Sequence, residues 1–251
     1  MKKGLFSSNV SIFKIIIKKY ISNDITSLFK NITTPKNIKR YEKDIEKLGF
    51  NTAKIYFSFQ IKNSLFIVQK LIKGETVEEV LKSKKYDIEL KKEIVMKILN
   101  KMFAVKGQQV IIDWNLKNFI LYKGKIFYVD LTPVLYRESV MLINSKKLRP
   151  YTEMLLNEKI QFCSFLGYVC NYLIDLPKET LKVIYDELML FAKDNDIVIK
   201  DTDENSHLME RKVSLISDYL NSNMTKEKLK MELLNYSMKH LVYDSGDDYD
   251  V

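Results

Sequence analysis

No stretch constrains the fold of this chain more than Val110-Ile-Ile-Asp-Trp-Asn-Leu-Lys-Asn-Phe-Ile-Leu-Tyr-Lys-Gly-Lys-Ile-Phe-Tyr-Val-Asp130. Two short apolar runs, Phe119–Tyr122 and Lys125–Val129, flank Lys123-Gly124 as hairpin strands flank a turn. Asp113 and Asn118 precede the hairpin, and Asp130 ends its second strand. The order is therefore Asp, loop, Asn, hairpin, Asp.

That order suits phosphoryl transfer, where a protein positions an acceptor hydroxyl and holds Mg²⁺ against nucleotide phosphates. An Asp can take the hydroxyl proton, while an Asn and a second Asp supply hard oxygen ligands for Mg²⁺. Taken alone, Asp113-x-x-x-x-Asn118 is also an ordinary polar turn between two strands.

With Tyr128-Val129-Asp130 added, the motif resembles the catalytic loop and metal-binding Asp of the protein-kinase-like superfamily, most of all its aminoglycoside phosphotransferase and choline-kinase branch. Ile111 stands where those families usually have His, and Leu131-Thr132-Pro133 where they often have an aromatic residue and Gly. A second segment, Phe66–Leu81, resembles the hinge of aminoglycoside-phosphotransferase-like proteins, in which a strand leaves the small lobe and a Gly-x-Thr turn (here Gly74-Glu75-Thr76) leads into a helix. Thr76 with Glu79 has the capping-box spacing.

The resemblance implies a two-lobed α+β protein-kinase-like fold. Residues 1–70 would form a small antiparallel-sheet lobe with one helix, and residues 71–243 a larger, mainly helical lobe carrying the catalytic and metal loop. Residues 244–251 would be an acidic tail. The implied cofactors are ATP and Mg²⁺, with Asp113 as base, Asn118 and Asp130 as metal ligands, and the backbone from Gln69 to Leu71 on the adenine edge. Lys18, with Lys14 as its competitor, would hold the phosphates, paired with Glu42 or Glu46. The implied partners are the nucleotide and a small-molecule hydroxyl acceptor that the sequence does not identify. A catalytically inactive, kinase-like binding module is the alternative.

The rest of the chain supplies elements for such a fold. Val10–Ile21 is β-branched and aromatic and reads as one strand, with Gly4, Ser7 and Ser8 as a small-residue turn able to approach phosphate. Thr34-Pro35 is a helix start, and Lys36–Leu48, closed by Gly49, carries an apolar stripe of Ile38, Tyr41, Ile45 and Leu48. Lys54–Leu71 reads as a hairpin turning at Lys62-Asn63-Ser64. Helical periods run over Asp87–Val105, Met154–Ile174, Lys178–Lys193, Ser206–Leu220 and Thr225–Val242. Between Pro133 and Pro150 a loop with a short helix carries Arg137 and Arg149.

Composition narrows the function further. Cys163 and Cys170 lie two turns apart on one helix, roughly 10 Å along its axis and beyond disulfide reach. With His207 and His240 as the other soft ligands, no zinc spacing exists. The net charge of +9 is spread over lysines, and Arg occurs only at Arg40, Arg137, Arg149 and Arg211, so dedicated nucleic-acid binding is not expected. No apolar run of about 18 residues exists to span a membrane, and the expected compartment is the cytoplasm. Trp114 beside Asp113 could line an acceptor pocket or simply fill core.

Overall fold

In the Lys123-Gly124 turn both residues have positive φ (50° and 70°), as a two-residue turn between right-twisted strands requires. The turn joins β8 (Phe119–Tyr122) to β9 (Lys125–Tyr128), the hairpin expected from the sequence. The structure is a computed structural model, which describes residues 2–3, 7–12, 14–21, 33–62, 64–141, 155–199 and 208–233. Gly4, Asn63, Arg149, His207, His240, the acidic tail, and the expected helical residues Met154, 206–207 and 234–242 lie outside them.

The protein is a mixed α+β chain that divides into two units. The first comprises residues 1–77, 99–113 and 117–143, the second residues 78–98, 114–116 and 144–251. The boundary expected at 70/71 therefore does not hold, because the Asp113 loop and the hairpin up to Asp130 belong with the sheets. Hydrogen bonding explains this: β9 pairs in parallel with β4 (Asn51–Thr52), and β8 pairs with β7 (Glu75–Thr76), giving a four-stranded sheet β4-β9-β8-β7.

The first unit's larger sheet has the order β1-β2-β3-β6-β5, all antiparallel, from β1 (Lys2–Lys3), β2 (Ser7–Ile12), β3 (Ile15–Ile21), β5 (Ile55–Ile61) and β6 (Ser64–Lys70). The β5–β6 hairpin lies where the sequence puts it. Val10–Ile21 is two strands and not one, with Lys14 in the turn between them. Both arms are β-branched, and a turn without Gly, Asn or Pro leaves no mark in the pattern. Ser7 and Ser8 pair with Tyr20 and Lys19, so they are strand and not a phosphate-covering turn.

Helix α1 (Pro35–Lys47) begins at the Thr34 cap, whose hydroxyl accepts from the Asn37 N–H, and buries Ile38, Tyr41 and Ile45 completely. Later in this unit, α4 (Arg137–Met141) is the short helix expected after Pro133.

In the second unit, α2 (Val77–Lys82) starts directly after Thr76, and α3 (Ile88–Ala104) begins where the Asp87 carboxylate accepts from the Leu90 N–H at 2.7 Å. The last turns of α3 count with the first unit. Helix α5 (Glu158–Leu173), capped by Asn157, is buried nearly all round, with Phe162, Phe165, Leu166 and Val169 almost without exposure. Alongside come α6 (Lys178–Asp194), α7 (Leu208–Leu220) and a helical segment at 226–233. Cys163 and Cys170 are free and buried on α5, and burial pushes both thiols up to about 12. Among the described residues no helix is long and apolar enough to cross a membrane.

Candidate functional site

Of the residues singled out in the sequence, Lys18 and Gln69 reach the Val129-Asp130 peptide with their side chains, and Asn118 meets it through its backbone carbonyl. Lys18 is the fourth residue of β3, and strand alternation turns it to the face of the sheet that α1 covers. There it is buried, at 7% exposure. Its ammonium donates to the Val129 carbonyl at 2.7 Å and stands 3.5 Å from Asp130 Oδ1. Lys14, the competitor, is exposed in the β2–β3 turn.

Two further elements hold the same peptide. Gln69 on β6, 2% exposed, donates from Nε2 to the Val129 carbonyl at 3.2 Å. The Val129 N–H donates to the Asn118 carbonyl at 2.8 Å, which closes the hairpin on the residue expected to share the metal. Asp130 Oδ1 also accepts from the Thr132 hydroxyl at 3.1 Å. Asp130 is thus fixed from β3, from β6 and from the 3₁₀ turn Leu116–Asn118, while its own side chain keeps 34% exposure.

Asp113 is half-buried, and its N–H donates to the Tyr128 hydroxyl at 3.3 Å. A tyrosine pair supports this loop from below. Tyr41 on α1 donates to the Ile111 carbonyl and hydrogen-bonds Tyr128. Burial, joined by the charges of Asp113 and Asp130, holds both phenols well above their ordinary range, so both remain neutral donors. The Ile111 N–H donates to the Leu135 carbonyl at 2.9 Å, so this peptide is tied at both ends without a side-chain contribution from position 111.

The segment after Asp130 returns to the same place. Leu131, Val134 and Leu135 are buried, Thr132-Pro133 is a cis peptide, and Tyr136 bridges back to Val110. The Tyr136 hydroxyl donates to Asp44 at 3.0 Å, and its ring meets Tyr41 edge-on. Arg137 opens α4 with its N–H on the Gln109 carbonyl.

Three expectations are corrected. The Lys18–Glu42 pair is not made: the buried Glu42 carboxylate accepts from the Ile55 N–H at 2.6 Å, and Lys18 has Asp130 instead. Glu46, the alternative, accepts from the Thr52 hydroxyl at 2.7 Å and ties α1 to β4. The third concerns the adenine edge. Leu71 donates its N–H to the Lys14 carbonyl at 2.9 Å, and Gln69 lies in a central strand between Ile16 and Ile55. Their backbone donors are engaged within the sheet, and Gln69 contributes through its side chain.

Burial raises the Glu42 carboxyl above its ordinary value, against a smaller lowering by the Ile55 N–H. A raised folded-state pKa means that the stabilising form is the protonated one. Its contribution is complete below the unfolded-state pKa and is lost as pH rises through the folded-state value. Glu42→Gln keeps the acceptor for Ile55 without a charge, so its melting temperature is expected to match the parent's in acid and exceed it at neutral pH. Thermal melts across pH check this, and a neutral-pH loss would mean that a cation holds the carboxylate charged.

Tyr41, Tyr128 and Gln69's amide are the supporting residues that sequence reasoning did not assign. The sole signal for Gln69 was a polar residue closing an apolar strand run. Among the described residues no group of three or more His, Cys, Asp or Glu side chains is arranged to hold a metal ion. Asn118, at 9% exposure, meets the Val129-Asp130 peptide through its backbone carbonyl. No protein-family model and no curated protein matches this chain, so the reading of the site rests on its own geometry.

Proposed function

We propose that this chain is a protein-kinase-like phosphotransferase that passes a phosphoryl group from ATP to the hydroxyl of a small molecule with the help of Mg²⁺. The observation that carries the reading is the 3.5 Å approach of Lys18 to Asp130, with the Val129-Asp130 peptide tied to Asn118. Phosphoryl transfer asks the protein for position and charge more than for covalent chemistry, and a buried ammonium beside a rigidly held carboxylate and an amide answers that need.

In this reading Lys18 holds the nucleotide phosphates, and Asn118 and Asp130 are the residues that hold Mg²⁺, which when bound neutralises charge on those phosphates. Asp113, fixed through its own N–H on Tyr128, orients the acceptor hydroxyl and takes its proton. Gln69 keeps the Val129 carbonyl, and with it Asp130, in register. ATP as the donor sets the reaction in the cytoplasm.

A catalytically inactive nucleotide-binding module is the second reading. Glu42 bonded to Ile55 and Leu71 bonded to Lys14 favour it, since both groups are engaged in the fold. Calorimetric titration with ATP, with and without Mg²⁺, is expected to give saturable, Mg²⁺-dependent binding, and no binding in either condition would remove both readings. Label transfer from radiolabelled ATP to a panel of hydroxyl metabolites is the expected result for the enzyme. ATP binding in which Asp113→Asn changes nothing, with no label transferred, would favour the inactive module.

A further inference from the structure

One face of the five-stranded sheet is covered by α1, through Glu42 on the Ile55 N–H, Lys39 on the Ile55 carbonyl and Pro35 on Ser58. The opposite face carries large apolar side chains in the open. Val10 is 44% exposed, Phe57 55%, Phe59 38% and Ile61 55%. They are contiguous by register: Val10 pairs with Ile17, Ile17 with Val68 and Val68 with Phe57, while Phe59 pairs with Phe66 and Phe66 with Lys19. Directly paired residues share a face. The sheet ends on β5, an edge strand, where an exposed apolar face is a liability unless something occupies it.

Charge selects the occupant. The five strands contain Lys2, Lys3, Lys18, Lys19 and Lys70 and no Asp or Glu. By strand alternation Lys19 and Lys70 share the apolar face, and Lys14 and Lys62 are exposed at the turns. A second copy of the chain would set these lysines against their own kind. A nucleic-acid strand would need open ring faces, yet the rings close on one another. Phe57 stacks on Phe59 at 6.1 Å and Phe59 on Phe66 at 5.1 Å, and the Lys19 ammonium lies over the Phe66 ring at 5.9 Å. An apolar patch whose strands carry cations and no Asp or Glu matches the boundary layer of an anionic bilayer, where rings and aliphatic tips enter the acyl edge and ammonium groups meet phosphate or carboxylate.

We propose that this sheet face docks the protein on an anionic lipid surface, with Phe57, Phe59 and Ile61 inserted and Lys19 and Lys70 against the headgroups. The inference is independent of the phosphotransferase reading.

The test is sedimentation of the full chain with vesicles of phosphatidylcholine alone or with about one-third phosphatidylserine. Binding to the anionic vesicles is expected, at least about tenfold weaker on the zwitterionic ones and weakened by salt. The double variant Phe57→Ser/Ile61→Ser is expected to lose about tenfold or more in affinity for the anionic vesicles. Its circular dichroism should be unchanged, since both side chains are exposed. Lys19→Glu/Lys70→Glu is expected to do the same and to abolish the preference for phosphatidylserine. Binding to neither vesicle, or equal binding by the Ser variant, overturns the proposal. So does a parent dimer that the Ser variant makes monomeric, which gives the face to a second copy. Capture of a single-stranded oligonucleotide that the Ser variant loses gives it to nucleic acid.

Discussion

Asp130→Asn is expected to lower the affinity for Mg²⁺·ATP by roughly 100-fold, because a charged oxygen is replaced by a neutral one where a divalent cation and phosphates meet. The fold should tolerate the change. Asparagine has the same shape and still offers an oxygen to the Thr132 hydroxyl, and Lys18 retains the Val129 carbonyl at 2.7 Å. The ion pair itself adds little stability, since Asp130 keeps 34% exposure and water screens it, to about 1 kcal/mol or less. Calorimetry reads the affinity, and a thermal melt on the same sample separates lost binding from lost structure. Unchanged Mg²⁺·ATP affinity in a folded variant would remove Asp130 as a metal ligand.

The largest loss of stability is expected at Gly74, which leads from β6 toward α2. A Cβ built there lies 2.1 Å from the Leu121 carbonyl oxygen and 2.7 Å from the Ile120 side chain. Gly74 is not needed for an unusual φ; it is needed because two backbones meet where β7 pairs with β8. A flexible side chain could swing aside, but a carbonyl in a strand ladder cannot move without breaking the ladder. Gly74→Ala is therefore expected to cost about 3 kcal/mol. For a chain of this length that is roughly 6–12 °C of melting temperature. Because β8 carries the hairpin that ends at Asp130, the variant should also bind nucleotide more weakly, whereas Gly167→Ala, whose Cβ would meet only the Lys212 side chain in ordinary contact at 3.5 Å, serves as the contrasting glycine. A Gly74→Ala melt within a degree of the parent would show that β7 and β8 separate freely.

The two variants probe different kinds of information. At Asp130 the motif names the residue but not its partner Lys18, because their pairing joins residues more than a hundred positions apart. Glu42 was a reasonable partner for Lys18 by helix position, yet burial beside the Ile55 N–H gave it another hydrogen bond. At Gly74 the Gly-x-Thr pattern announced a turn before a helix, while the close approach of Leu121 depends on a sheet joining β4, β7, β8 and β9, whose two-residue strands are too short to show a period.

Elements governed by short-range physics are legible in the residues themselves: the β8–β9 hairpin through a turn tolerant of positive φ, the Thr34-capped start of α1, the β5–β6 hairpin and the helical periods around Cys163 and Cys170. The sequence also set the even spread of lysine that leaves the five-stranded sheet without an anion. Tertiary structure alone decided that Val10–Ile21 folds back on itself, that Lys18 and not Lys14 is buried, and that Lys18, Gln69 and Asn118 all close on Val129-Asp130. The reason is physical: turns and periods are properties of neighbouring residues, whereas a buried ammonium takes whichever acceptors the packed sheets bring within about 3 Å.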